Sequence, residues 1–92
     1  MQFEWDEAKN RENIRKHQID FADVSEMFDS PMLIEPDERF DYGEDRWFGI
    51  GFLGNTIAVV VWTERQGDVI RIISARKANR YERQRFEQYL SY

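Results

Sequence analysis

Residues 46–75 read RWFGIGFLGNTIAVVVWTERQGDVIRIISA, and this stretch decides the fold. From Arg46 to Leu53 the residues alternate. Arg46, Phe48, Ile50 and Phe52 share one face of a strand, and Trp47, Gly49, Gly51 and Leu53 share the other. Gly54-Asn55 is a tight turn, although the favoured hairpin dipeptide has the reverse order. Thr56 to Thr63 is rich in β-branched residues, Gln66-Gly67-Asp68 turns again, and Val69 to Ala75 is a further strand. Strands joined by such short turns form an antiparallel meander.

Working outward, Met32 to Ile34 is a short apolar run ended by Pro36, and the acidic stretch Asp37 to Asp45 reads as a loop. Upstream lie two helices. Asp6 caps a polar helix over Glu7 to His17, whose only clearly apolar residues are Ala8 and Ile14. Asp20 caps a shorter one, with Ile19 stapled to Val24 and with Phe21, Val24 and Phe28 on one face, until Pro31 stops it. Gln2 to Trp5 is a brief extended start. After the meander, Asn79 caps a final helix with Glu82 at the capping-box spacing, and Phe86, Tyr89 and Leu90 give a stripe. The expected order is β-α-α-β-β-β-β-α, an α+β fold in one domain spanning 1–92.

The composition excludes several classes. There are no cysteines, hence no disulfide framework or thiolate metal site, and one histidine makes a zinc site improbable. The N-terminus is not a signal peptide, and no apolar run reaches the ~20 residues of a membrane helix. A cytoplasmic protein without cofactor is expected. The net charge of −5 is unevenly spread: residues 1–63 hold six basic against fourteen acidic residues, and residues 64–92 hold seven against four. The local field over one cleft matters more than the total.

Candidate chemistry gathers in Thr63-Glu64-Arg65 and Ser74-Ala75-Arg76-Lys77. In a meander the ends of these strands point to opposite rims, so Arg65 and Arg76 are not placed in one site by spacing alone. Strict alternation puts Ile70, Ile72, Ser74 and Arg76 on one face and Arg71, Ile73, Ala75 and Lys77 on the other. Gly49 and Gly51 either open a groove for a ligand or relieve crowding beneath a packed element. His17 either complements the helix dipole beside Lys16 or transfers protons. Trp47, Trp62 and Tyr92 either form a partner surface or, for the tryptophans, pair across the sheet.

Taken together, Phe3-Glu4-Trp5-Asp6, Lys9, Asn13, Lys16-His17, Phe21, Ala22, Val24, Phe28-Asp29 and Pro31 resemble the opening of BrnT-family toxins. Glu44, Arg46, Thr63-Glu64-Arg65, Ile70-Arg71-Ile72-Ile73-Ser74-Ala75-Arg76-Lys77-Ala78 and Glu82-Arg83 resemble the remainder. The resemblance runs from Phe3 to about Glu87. It implies a RelE-like fold and a metal-independent ribonuclease that halts translation. It further implies a BrnA-like antitoxin as partner, RNA as substrate, and DNA contacted only through the antitoxin complex. By position it carries over Lys16, His17, Glu44, Arg46, Glu64, Arg65, Arg76 and Lys77. Arg46, Arg65 and Arg76 are then expected to bind phosphate, His17 or Glu64 to carry protons, and Lys77, Arg80 and Arg83 to bind RNA. Lys16 completes the expected catalytic set. Gln18 departs from the glycine that commonly follows Lys-His in the family, which disfavours a left-handed cap there. Two other readings stand beside this one: a catalytically silent toxin-fold partner in a repressor complex, and an unrelated interaction domain.

Overall fold

The computed structural model describes residues 1–39 and 43–91. Strand β1 (Gln2–Glu4) is followed by helices α1 (Glu7–His17) and α2 (Phe21–Val24) and a 3₁₀ segment, Ser25–Asp29. Strands β2 (Met32–Pro36), β3 (Trp47–Leu53), β4 (Thr56–Arg65) and β5 (Val69–Lys77) follow, and α3 (Arg80–Leu90) closes the chain. The fold is mixed α+β. β2 to β5 form the antiparallel meander, and β1 adds to its far edge in parallel, Phe3 opposite Ile70, giving the order β1-β5-β4-β3-β2. That parallel pair joins segments some 67 residues apart, at Glu4 and Arg71, which no local turn signal encodes.

Each sheet face has its own core. On one face Phe21, Val24 and Met27, all fully buried, pack on Ala58, Val60, Trp62, Ile70, Ile72 and Ala75. Trp62 meets the Phe28 ring edge-on at 5.0 Å, and Trp47 sits opposite Trp62 in register and packs on the same cluster. Trp62 is thus core and offers no partner surface, Trp47 is half-buried, and Tyr92 lies outside the described residues. The other face holds Ile50, Val59, Ala78 and Phe86 beneath α3.

Three local expectations are corrected. α1 turns its two clearly apolar residues, Ala8 and Ile14, to solvent. It docks through buried Asn10 and Asn13: Asn10 Oδ1 accepts from the Phe21 amide (2.9 Å), and Asn13 Oδ1 accepts from the Ala75 amide (3.1 Å) while its amide group donates to the Ile19 carbonyl (3.0 Å). A polar helix can be pinned to a core when its buried amides satisfy backbone groups that would otherwise be orphaned. Gln18 does take the left-handed cap, φ 57°, with its amide donating to the Ile14 carbonyl. The cap bond offsets the cost, about 1 kcal/mol, of a side chain in that region. In α3 the buried residues are Glu82 and Phe86, while Tyr89 and Leu90 are largely exposed.

The glycines of β3 relieve crowding. A Cβ on Gly49 would lie 2.8 Å from both Met32 Sδ and Trp62 Cζ3, so Trp62 and Met32 fill the space a groove would need. Gly49→Ala is therefore expected to lower stability by about 1–3 kcal/mol. The midpoint of urea unfolding should fall at unchanged slope, and an unmoved midpoint would mean that Trp62 packs elsewhere.

Candidate active site

A bulge decides which side chains share a face. Val61 is opposite Ser74 but Trp62 is opposite Ile72, so Ile73 is an extra residue in β5. Strict alternation fails from that point. Ile70, Ile72, Ala75 and Lys77 lie toward the α1–α2 side, and Arg76, opposite Val59, lies toward α3. The pairing of Arg76 with Ser74 survives the correction; the pairing of Arg76 with Ile70 and Ile72 does not.

On the α3 side a row of alternating charges crosses the sheet. Arg76 forms a fork with Glu82 in the first turn of α3, Nη1 to Oε1 and Nη2 to Oε2, each 2.8 Å. Arg39 forms a second fork with Asp37, Nε to Oδ1 at 2.7 Å and Nη2 to Oδ2 at 3.0 Å. The Asp37 amide donates to the Arg46 carbonyl, continuing the β2–β3 ladder by one rung. Arg46 Nε donates to Glu44 Oε2 at 3.3 Å, and Arg65 Nη2 lies 4.0 Å from Glu44 Oε1. A third fork joins Arg85 of α3 to Glu35 of β2.

Electrostatics follow the pairing. The Arg76 fork holds the Glu82 carboxyl below the ordinary value of 4.5 against the opposing effect of burial, assisted by the Asn79 amide. Asp37, whose side chain is 1% exposed, is likewise held below 3.8 by Arg39. Arg85 does the same for Glu35. Glu82 raises the Arg76 guanidinium, and the positive charge of Arg39 works against it, so the two forks feel one another.

Such carboxyls bind fewer protons in the folded than in the unfolded chain. The stability they contribute is complete above their ordinary values and is lost as pH falls through the lowered ones. The melting temperature is expected to fall steadily from roughly pH 5 to pH 2. Glu82→Gln should flatten that slope, and an unchanged slope would place the acid sensitivity elsewhere.

Glu44, Glu64 and Arg65 line one open cleft with Asp45, Trp47 and Thr63, and Arg46 adjoins it through Glu44. Arg65 stands at the turn end of the β4–β5 pair, opposite Val69, and Arg76 near the other end, with the row of ion pairs lying between them. Lys16 and His17 end α1 on the opposite face, where Lys16 Nζ lies 3.6 Å from Glu12. Lys77 also points to that side. Arg80 and Arg83 are exposed on α3. Sequence reasoning missed Asp37, Arg39 and the second role of Glu82. Its capping-box position was visible, and the basic Arg76 nearby was the signal for a partner. Among the described residues no group of acidic, histidine or cysteine side chains is arranged to hold a metal ion.

Arg76 retains a second edge. Nη1 also donates to the Lys77 carbonyl at 3.3 Å, so the fork and this bond use Nη1 twice and Nη2 once. Nε–H and the remaining Nη2–H form a parallel donor pair to which no described residue bonds. A planar guanidinium can grip a carboxylate with one edge and a phosphate with the other.

A family model described as "Ribonuclease toxin, BrnT, of type II toxin-antitoxin system" matches residues 5–82. The chain belongs to the BrnT toxin family. The BrnT match ends at Glu82 and so takes in every residue of the charged row except Arg85. The crystal structure of the Brucella abortus ribonuclease toxin BrnT is similar, at 34% identity and a TM-score of 0.73, over 87% of this chain and 99% of that one. No individually curated protein matches. Membership of a type II toxin–antitoxin family implies an antitoxin partner. No helix among the described residues is long and apolar enough to cross a membrane.

Proposed function

We propose that this chain is a cytoplasmic, metal-independent endoribonuclease of RelE-like architecture, acting as one domain and neutralised by a BrnA-like antitoxin that alone contacts DNA. The observation that carries this reading is the second donor edge of Arg76, held in place by buried Glu82 within a region that matches a ribonuclease toxin family. In this reading the 2′-OH of RNA attacks the adjacent phosphorus. The new O2′–P bond forms as the P–O5′ bond breaks. A base accepts the 2′ proton, and an acid returns one to the departing 5′-oxygen. Arg76, with Arg46 and Arg65 along the row, stabilises the negative charge on the phosphorane oxygens. Glu64 lines the same cleft as Arg65, whereas His17 ends α1 away from it, so Glu64 is the better placed of the two expected proton carriers.

A second reading, a toxin-fold partner without catalysis, is favoured by one observation. The arginines of the row already face carboxylates, which RNA phosphates must rival. One experiment separates the two. Purified protein is incubated with single-stranded RNA in excess EDTA, beside the same strand with 2′-deoxyribose throughout. Cleavage of the RNA alone, leaving 2′,3′-cyclic phosphate ends, is the expected result. An intact RNA in the presence of folded protein supports the silent partner, and cleavage only without EDTA overturns metal independence.

A further inference from the structure

Among the described residues the most exposed large hydrophobic side chain is Tyr81, 68% exposed in the first turn of α3. A free tyrosine on a helix surface is ordinarily mobile, but this one is not free. Arg85, one turn on, lies over its ring at 5.9 Å from the centroid. Arg85 is itself fixed to the sheet by its fork with Glu35, at 2.6 and 3.2 Å. The ring is therefore held from one side by an anchored cation, and its high exposure leaves the opposite side to solvent. Its chain neighbour Glu82 holds Arg76. Glu35, the anchor of Arg85, lies two residues from Asp37 on the same strand face, so the Tyr81–Arg85 rim of α3 borders the charged row.

An exposed aromatic ring, backed by a cation and beside arginines suited to phosphate, is suited to stacking on a base. We propose that Tyr81 is a stacking platform for an unpaired nucleobase of the RNA strand whose phosphate Arg76 grips. The inference rests on RNA being the substrate at this face, and it adds a base-contacting position that no motif in the sequence marks. Stacking on an aromatic ring tolerates any base, because each has a π-face, so the platform would contribute affinity and strand polarity rather than sequence choice. Single-stranded RNA is suited to it, since its bases can splay from their neighbours.

The test uses the purified chain and binding alone. Two fluorescent oligonucleotides of equal length, both 2′-O-methylated and hence uncleavable, are compared by anisotropy: one of mixed sequence, one abasic throughout. The wild type is expected to bind the base-bearing strand about tenfold more tightly. Tyr81→Ala, an exposed helix position where alanine is well tolerated, should lose that preference and bind the abasic strand as the wild type does. Tyr81→Trp should keep it. Equal loss on both strands, or no loss on either, overturns the platform while leaving RNA as substrate. Wild type that binds neither strand overturns the RNA reading and this one with it. Unaltered RNA binding by Tyr81→Ala together with lost antitoxin binding assigns the ring to the protein partner and overturns the proposal.

Discussion

Phe86→Ala is expected to lower the melting temperature by about 15–30 °C. Phe86 has no exposed surface and is the one large side chain that α3 sends into the second core, against Ile50, Val59 and Ala78. Its ring meets Phe52 edge-on at 5.1 Å and stacks near Tyr89 at 6.3 Å. Removing a buried phenylalanine costs about 3–5 kcal/mol, from lost transfer energy plus the cavity left behind. Domains of this size have only about 5–10 kcal/mol in total, and each kcal/mol is worth about 4–8 °C. The effect reaches the site as well, because α3 carries Glu82 and Arg85, whose forks hold Arg76 and Glu35. Thermal unfolding followed by circular dichroism checks the expectation, with Phe52→Ala, at a position already 41% exposed, as the milder comparison. A fall of under about 5 °C for Phe86→Ala would mean that α3 is not docked through this ring.

The elements were legible because their signals are local. The alternation of Arg46–Leu53, the β-branched run Thr56–Thr63 and the Asn79/Glu82 capping box each depend on residues a few positions apart, and each lies where the chain forms the corresponding strand or helix. What was hidden is non-local. β1 lies beside β5 because Phe3 completes the row of Phe28 and Trp62, a contact across most of the chain. The bulge at Ile73 depends on how β4 and β5 pair around Trp62, and it reassigns every later residue of β5 to the other face. The site suffered most from this. The bulge takes Arg76 off the face of Ile70 and Ile72 and puts Lys77 there instead. Lys16 and His17 end α1, which packs on the face of the sheet away from Arg76. Asp37 was read as part of an acidic loop. The structure buries its carboxylate in a fork with Arg39, so the acidity there neutralises an arginine rather than facing an incoming phosphate.

Arg76→Ala is expected to lower RNA cleavage by about 100- to 1,000-fold, the loss typical when one preorganised donor to a developing anion is removed. The same change leaves Glu82, whose side chain is 10% exposed, without its cation, at a cost of about 1–3 kcal/mol, so lost activity must be separated from lost fold. Two companions do this. Arg76→Lys keeps a positive charge for Glu82 but has no second planar edge, so it should fold nearly as well as the wild type and cleave nearly as poorly as the alanine variant. Glu82→Gln keeps the capping box, for which glutamine serves, but loosens the fork. It should retain part of the activity at a raised KM. Growth arrest on induced expression, at matched protein levels, reads the same comparison in cells: arrest by the wild type and by neither Arg76 variant. Full activity in Arg76→Lys would show that a point charge suffices there and that the second guanidinium edge is unused. Full activity in Arg76→Ala would move the reaction along the row to the cleft of Glu44, Glu64 and Arg65, where Arg65→Ala would then be the disabling change.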